Sequence, residues 1–139
     1  MTNDGASIQS PKRRGEWAEL RFMARATEHG LRVSKPWGDS SRYDFAVESG
    51  GRFLRVQVKS TTYSKRHSYV CHFDNRKPYT KEQIDFLAAY VVLEDVWYIL
   101  PVGLRLRPKC NLILSPHMEK SKYGRYKEAW HLLLTPPED

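Results

Sequence analysis

Two adjacent glycines, Gly50 and Gly51, separate the alternating runs "RYDFAVES" (42–49) and "RFLRVQVKS" (52–60). Two-residue hairpin turns favour positive φ at their central positions, which glycine adopts without steric cost. The stretch therefore predicts a β-hairpin with Ser49 opposite Arg52, Glu48 opposite Phe53, Val47 opposite Leu54, Ala46 opposite Arg55 and Phe45 opposite Val56. Carried further, the same register sets Asp44 opposite Gln57 and Arg42 opposite Lys59. Opposed residues share a face of an antiparallel pair. One face then holds Tyr43, Phe45, Val47, Leu54, Val56 and Val58 and belongs in a core. A one-residue slip would reverse one strand's faces, so the apolar pattern fixes the register. The other face gathers Asp44, Gln57 and Lys59, with Lys59 roughly 7 Å along the strand from Gln57. Pattern alone leaves two explanations open: the polar side of a half-buried hairpin with a cross-strand ion pair, or a built constellation of acid, amide and ammonium.

The 139 residues amount to one domain, 1–139. Residues 1–10 are polar and small and are expected as a loose tail. A helix is expected from Gly15 to His29, with Trp17, Leu20, Met23, Ala24 and Thr27 at helical spacing and Gly30 as its stop. A strand at 31–37, a loop at 38–41, a basic loop at 61–67 and a strand at 68–73 follow. Thr80 with Gln83 fits a capping box, predicting a short helix to about Asp85. "FLAAYVVL" (86–93) and "VWYILPV" (96–102) flank Glu94 and Asp95 as a second, mostly buried hairpin. A last strand is expected at 111–115, and a helix weakened at Gly124 over 118–134. Together these make a mixed α/β domain.

The formal charge of +7 favours polyanionic partners, nucleic acid before an anionic membrane surface. No apolar run is long enough to span a bilayer and no secretory signal opens the chain, so a cytoplasmic location without membrane contact is expected. Cys71 and Cys110, the two cysteines, lack zinc-site spacing and read as reduced structural thiols. The five histidines form no ligand cluster. His67 and His72 fall on opposite faces of a strand.

A helix carrying G-x-x-x-E, here Gly15 to Glu19, precedes a hairpin whose first strand carries Asp44 and whose second carries Gln57-x-Lys59. This order and spacing resembles the PD-(D/E)XK nuclease superfamily. The Q-x-K variant, the loop "PWGDSSRYD" and "YTKEQIDFLAAYVV…WYILPV" look most like its small intron-encoded homing endonucleases. The resemblance covers roughly residues 12–102. It implies a restriction-endonuclease-like α/β core, a central mixed β-sheet flanked by helices. Glu19, Asp44, Gln57 and Lys59 fall on the family's catalytic positions. Tyr43 stands where the superfamily name has proline, and Gln57 where it has an acid. Asp39 rivals Asp44, and Glu16, one turn away, rivals Glu19.

The resemblance further implies a metal-dependent DNA endonuclease hydrolysing phosphodiester bonds. Its cofactor would be Mg²⁺, with Mn²⁺ able to substitute, held by Asp44, Gln57 and Glu19. Mg²⁺ prefers oxygen ligands and lowers the pKa of bound water. Lys59 would stabilise charge at the scissile phosphate. Lys12, Arg13 and Arg14 precede the helix, and Ser60, Thr61, Thr62, Lys65 and Arg66 follow Lys59. Both clusters border the site and suit DNA phosphates. Lys120, Lys122, Arg125 and Lys127 form a second basic patch, interleaved with Tyr123 and Tyr126. Residues 103–139 are candidates for reading DNA or for oligomerisation. Cutting both strands of double-stranded DNA needs two sites, so a homodimer or homotetramer is expected, with the hairpin 86–102 as candidate interface or else ordinary core. Two alternatives stand beside this reading: a branched-DNA (Holliday junction) resolvase or another nuclease of the same fold, and a non-catalytic nucleic-acid-binding module.

Overall fold

The computed structural model describes residues 5–38, 40–72, 82–103 and 111–134. The elements in chain order are α1 (Pro11–Glu28), β1 (Arg32–Ser34), β2 (Phe45–Ser49), β3 (Arg52–Thr61), β4 (Ser64–Lys65), β5 (Ser68–Cys71), β6 (Phe86–Val91), β7 (Val96–Pro101) and β8 (Leu112–Leu114). A five-stranded sheet runs β1-β2-β3-β6-β7, and a three-stranded sheet runs β4-β5-β8. Among the described residues only β3 and β6 pair in parallel, so the larger sheet is mixed.

The Gly50-Gly51 hairpin forms as its sequence dictates. Both glycines have positive φ, 56° and 81°. The five pairs from Ser49↔Arg52 to Phe45↔Val56 are those the alternation predicts. Phe45, Val47, Leu54, Val56 and Val58 are buried beneath α1. The parallel register of β6 on β3 is set by Arg55 and Asp85. The Arg55 backbone N–H donates to Asp85 Oδ2 (2.7 Å), its Nε to the same oxygen (3.1 Å), and the Asp85 N–H donates back to the Arg55 carbonyl (2.9 Å). Val56↔Phe86 follows directly.

Helix α1 begins four residues before Gly15. Ser10 is its N-cap, with Oγ accepting the Arg13 N–H at 3.4 Å, and Pro11 supplies a ready-made first-turn φ. Its end is a Schellman motif: Gly30 at φ 84° donates to the Thr27 carbonyl and Leu31 to the Ala26 carbonyl. The buried stripe is Ala18, Phe22 and Ala26, not the expected Trp17, Leu20, Met23, Ala24 and Thr27. Leu20 is 60% exposed, and Trp17 and Met23 only border the core. The two small alanines let the helix approach the sheet closely around Phe22. The Phe22 ring stacks on Phe45 with centroids 5.4 Å apart and meets Trp97 and Trp130 at 5.6 and 5.7 Å. Burying each such ring contributes about 1.5–3 kcal/mol.

The sheet's other face packs Leu87, Ala89, Val91, Tyr98 and Leu100 against Cys71, Leu112 and Leu114 of the smaller sheet. Among the described residues α1 covers one face of the larger sheet and the smaller sheet the other. Burial pushes the Cys71 thiol up to about 12, as suits an inert structural cysteine. Cys110 lies outside the described residues.

Three other expectations are corrected: the C-terminal helix, the short helix ending near Asp85 and the loose N-terminal tail. Residues 118–134 form two short 3-10 turns, Gly124–Tyr126 and Trp130–Leu133, rather than a helix. Glu128, at φ 51°, interrupts them: its N–H donates to the Trp97 carbonyl (2.7 Å) while its Oε2 accepts the Trp97 N–H (2.6 Å). This segment closes the free edge of β7. Hairpin 86–102 is core of a single chain, with every residue of β6 buried. Glu82 and Gln83 form a turn, not a helix; Thr80 lies outside the described residues. The N-terminal segment is seated from Gly5 onward, where an added Cβ would stand 2.2 Å from the Trp17 ring. Among the described residues no helix is long and apolar enough to cross a membrane.

Candidate active site

Asp44 stands at the point where β2 and β3 part. The ladder ends at Phe45↔Val56, yet the Asp44 N–H also donates to the Val56 carbonyl (2.9 Å). Asp44 therefore falls one step short of its expected place opposite Gln57, and the extrapolated Arg42–Lys59 pair lies beyond the end of the ladder. The cause is the side chain: Asp44 Oδ2 accepts the Val58 N–H at 2.7 Å, a donor that continued strand pairing would satisfy with a backbone carbonyl. A carboxylate is thus pinned through one oxygen by the sheet. The shift also brings Tyr43 out of the core, and it lines the same cleft as Asp44.

That cleft has a volume of about 250 Å³ and is walled by Glu19, Lys35, Pro36, Gly38, Ser41, Tyr43 and Asp44. Glu19 enters from α1 and is half-buried. Glu16 is exposed and lines only a neighbouring groove of about 430 Å³, which it shares with Glu19, Leu20, Met23, Lys35 and Phe45. Between the two helix carboxylates, the structure turns Glu19 toward Asp44. Asp39 lies outside the described residues.

The electrostatics follow from the crowding. Burial raises the Asp44 pKa above the usual carboxylate range. The Val58 N–H opposes this, the Glu19 charge adds to it, and Lys35 and Lys59 pull it back. The charges of Glu19 and Lys59 both act on Asp44. Gln57 and Lys59 are half-buried on the face of β3 that also carries Leu87 and Ala89 of its neighbour. The Lys59 charge acts on both Asp44 and the buried Cys71.

Lys35 escaped the sequence reading. It follows β1 directly, and its Nζ donates to Glu19 Oε1 at 2.8 Å. Its only sequence mark is a cation before Pro36 at a strand end, which says nothing of a helix carboxylate sixteen positions earlier. Trp37 stands beside the cleft: its neighbours Pro36 and Gly38 line it, and its own side chain is fully exposed.

Among the described residues no three His, Cys, Asp or Glu side chains cluster as a metal site. Glu19 and Asp44 bring two carboxylates to the cleft, while Gln57 and Lys59 are not among the residues that wall it. Carboxylate oxygens are hard donors, the kind that suits Mg²⁺.

The basic residues divide. Lys12 and Arg13 are exposed in the first turn of α1 rather than before it, while Arg14 is half-buried and donates to the Ile8 carbonyl (2.8 Å). Cations there oppose the helix dipole. Lys65 and Arg66 are exposed at the β4–β5 turn, and Ser60 and Thr62 are half-buried. Thr61 departs from expectation: it is buried, and its hydroxyl donates to the Val70 carbonyl (2.6 Å) and accepts the Tyr63 N–H, so it braces a turn instead of facing DNA. Lys120, Lys122, Arg125 and Lys127 are exposed; Lys122 and Arg125 lie over Tyr123 and Tyr126, and Lys127 donates to the Pro116 carbonyl. Those tyrosines are half-buried against the second core.

The model of the PD-(D/E)XK endonuclease family matches residues 9–133. The chain belongs to the PD-(D/E)XK endonuclease family. Among solved structures, it is similar to a bacterial homing endonuclease, I-Ssp6803I. The two share 31% identity over 91% of this chain and 93% of that one, with a TM-score of 0.79. It also shares its fold with Hjc, a Holliday junction resolvase from the archaeal hyperthermophile Archaeoglobus fulgidus. Identity there is 16%, over 73% of this chain and 84% of that one, with a TM-score of 0.52. No curated protein matches the chain significantly. The fold is restriction-endonuclease-like and the protein is a nuclease of this family.

Proposed function

We propose that this nuclease is a Mg²⁺-dependent endonuclease of homing type that cuts double-stranded DNA as a homodimer or homotetramer. The observation that carries this is the Asp44 carboxylate, pinned by the Val58 N–H at the mouth of a cleft that Glu19 enters from α1. Asp44, Glu19 and Gln57 hold the cation through oxygen. When bound, Mg²⁺ supplies an activated water and neutralises phosphoryl charge. Asp44 and Glu19 are two like charges facing one cleft, an arrangement that favours a divalent counter-ion. Lys59 acts as a point charge on the scissile phosphate. Lys12, Arg13, Lys65 and Arg66, with the Ser60 and Thr62 hydroxyls, hold flanking phosphates and set the register of the cut. Homing over junction resolution is supported by the higher identity, 31% against 16%.

The test is cleavage of plasmid and four-way-junction DNA with Mg²⁺, comparing wild type with Asp44→Asn and Lys59→Met. Wild type is expected to cut duplex in preference to junction, and both variants to bind DNA without cutting. Equal cutting by all three proteins would remove the proposed site. Preference for junctions would replace homing with resolution.

A further inference from the structure

We infer that Lys35 is a positioning residue of this site: a built-in cation that holds Glu19 beside Asp44 until a divalent ion takes its place, and so sets how tightly that ion is held. The inference rests on the reading of Glu19 and Asp44 as metal ligands.

Two elements aim the ammonium. The backbone of Ser34, the residue before it, pairs with Ala46 of β2, and Pro36 fixes the residue after it. The Lys35 Nζ lies 2.8 Å from Glu19 Oε1 and 4.9 Å from the centroid of the Phe45 ring, next in sequence to Asp44. Lys35 lines both the cleft and the neighbouring groove, so it stands at their shared wall. Its charge also opposes the rise in the Asp44 pKa, placing it within reach of both carboxylates.

An ammonium has three donors and no lone pair. It can neutralise Glu19 but cannot act as a ligand, so it competes with any metal for the same carboxylate. The side chains differ in freedom: that of Lys35 is 59% exposed and that of Glu19 28%. The lysine is the partner with a path to leave. Its four-carbon stem lets the charge swing away while Glu19 keeps its place on α1. An exchange of this kind keeps the cleft close to neutral in both states.

Lys35→Met retains the stem over Phe45 and deletes the charge; Lys35→Arg retains the charge. The experiment measures Mn²⁺ binding to DNA-free protein by electron paramagnetic resonance, with Tm recorded for each variant and Asp44→Asn run alongside. Lys35→Met is expected to bind Mn²⁺ roughly tenfold more tightly, the scale of one unit charge acting through a partly solvated site. Lys35→Arg should stay within about twofold of wild type, and Asp44→Asn should bind more weakly. Unchanged or weaker binding by Lys35→Met, with Asp44→Asn weakened as expected, overturns the role of Lys35 and leaves the nuclease reading standing. Weaker binding together with a fallen Tm would make Lys35 a structural brace, which equally overturns it. Unchanged binding by Asp44→Asn would bring down the ligand assignment itself.

Discussion

Asp44 is a carboxylate kept where its charge is disfavoured. Burial raises its pKa and the Val58 N–H only partly offsets that. A carboxyl whose folded pKa lies above its unfolded value binds its proton more tightly in the native state. Its stabilising effect is therefore complete below the ordinary carboxylate pKa and is lost as pH rises through the raised value. Asp44→Asn keeps an oxygen for Val58 and removes the charge. In EDTA near neutral pH its Tm is expected to equal or exceed that of wild type, with the difference shrinking as the pH approaches the ordinary carboxylate range. Its cleavage rate should fall on the order of 10²–10³ or more. A Tm well below wild type across that pH range would show that the site is structural. Glu19 and Glu16 separate in the same way. Glu19→Gln should cost cleavage heavily, and Glu16→Gln, which lies outside the Asp44 cleft, should stay within a few-fold in a matched rate assay.

At the level of elements, polar ties hold the site's supports in place. Asp95, left-handed at φ 51° in the β6–β7 turn, accepts from Tyr90 Oη, from Arg21 (3.0 Å) and from Arg25 (3.4 Å), fastening α1 to the sheet. Burial would raise the Asp95 pKa, but the Tyr90 and Arg21 bonds and the two arginine charges bring it below the usual value. Asp85 does the same for β3 and β6. Burial again acts upward, and the bonds and charge of Arg55 prevail and lower it. Each contribution is present above the ordinary carboxylate pKa and is lost as pH falls through the lowered value. Asp85→Ala removes the acceptor of the Arg55 backbone N–H and the carboxylate that its guanidinium pairs with. It is expected to cost about 1–3 kcal/mol in urea unfolding at neutral pH, and less in acid. An equal cost at both pH values would contradict the ion-pair account.

Across the whole molecule, what could be read in advance follows the range of the interactions. The Gly50-Gly51 hairpin was legible because its register depends on local alternation and a turn that glycine satisfies. The helix existed where expected, but its buried face did not, because Ala18 and Ala26 become core only once Phe22 meets Phe45 and the two tryptophans. Helical spacing at the C-terminus misled because Glu128 serves Trp97 on the edge of β7, thirty-one residues away in sequence. Lys35 was hidden for the same reason: its partner lies on another element. The charge surface carries its own prediction. Lys65→Ala should weaken DNA binding across sequences and reduce the salt slope by about 1. Thr61→Val should lower Tm and leave that slope unchanged, as judged by fluorescence anisotropy. Trp37 offers a reporter, since it alone among the four tryptophans is fully exposed. Quenching of its emission on adding DNA would place the strand at the lip of the cleft.

The most direct measurement is the anomalous scattering of Mn²⁺ in crystals of the protein with duplex DNA. A peak within bonding distance of both an Asp44 and a Glu19 oxygen, with Lys35 turned away from Glu19, is the expected result. A well-occupied peak bound elsewhere, with Asp44 still bonded only to Val58 and Glu19 still held by Lys35, would contradict the account.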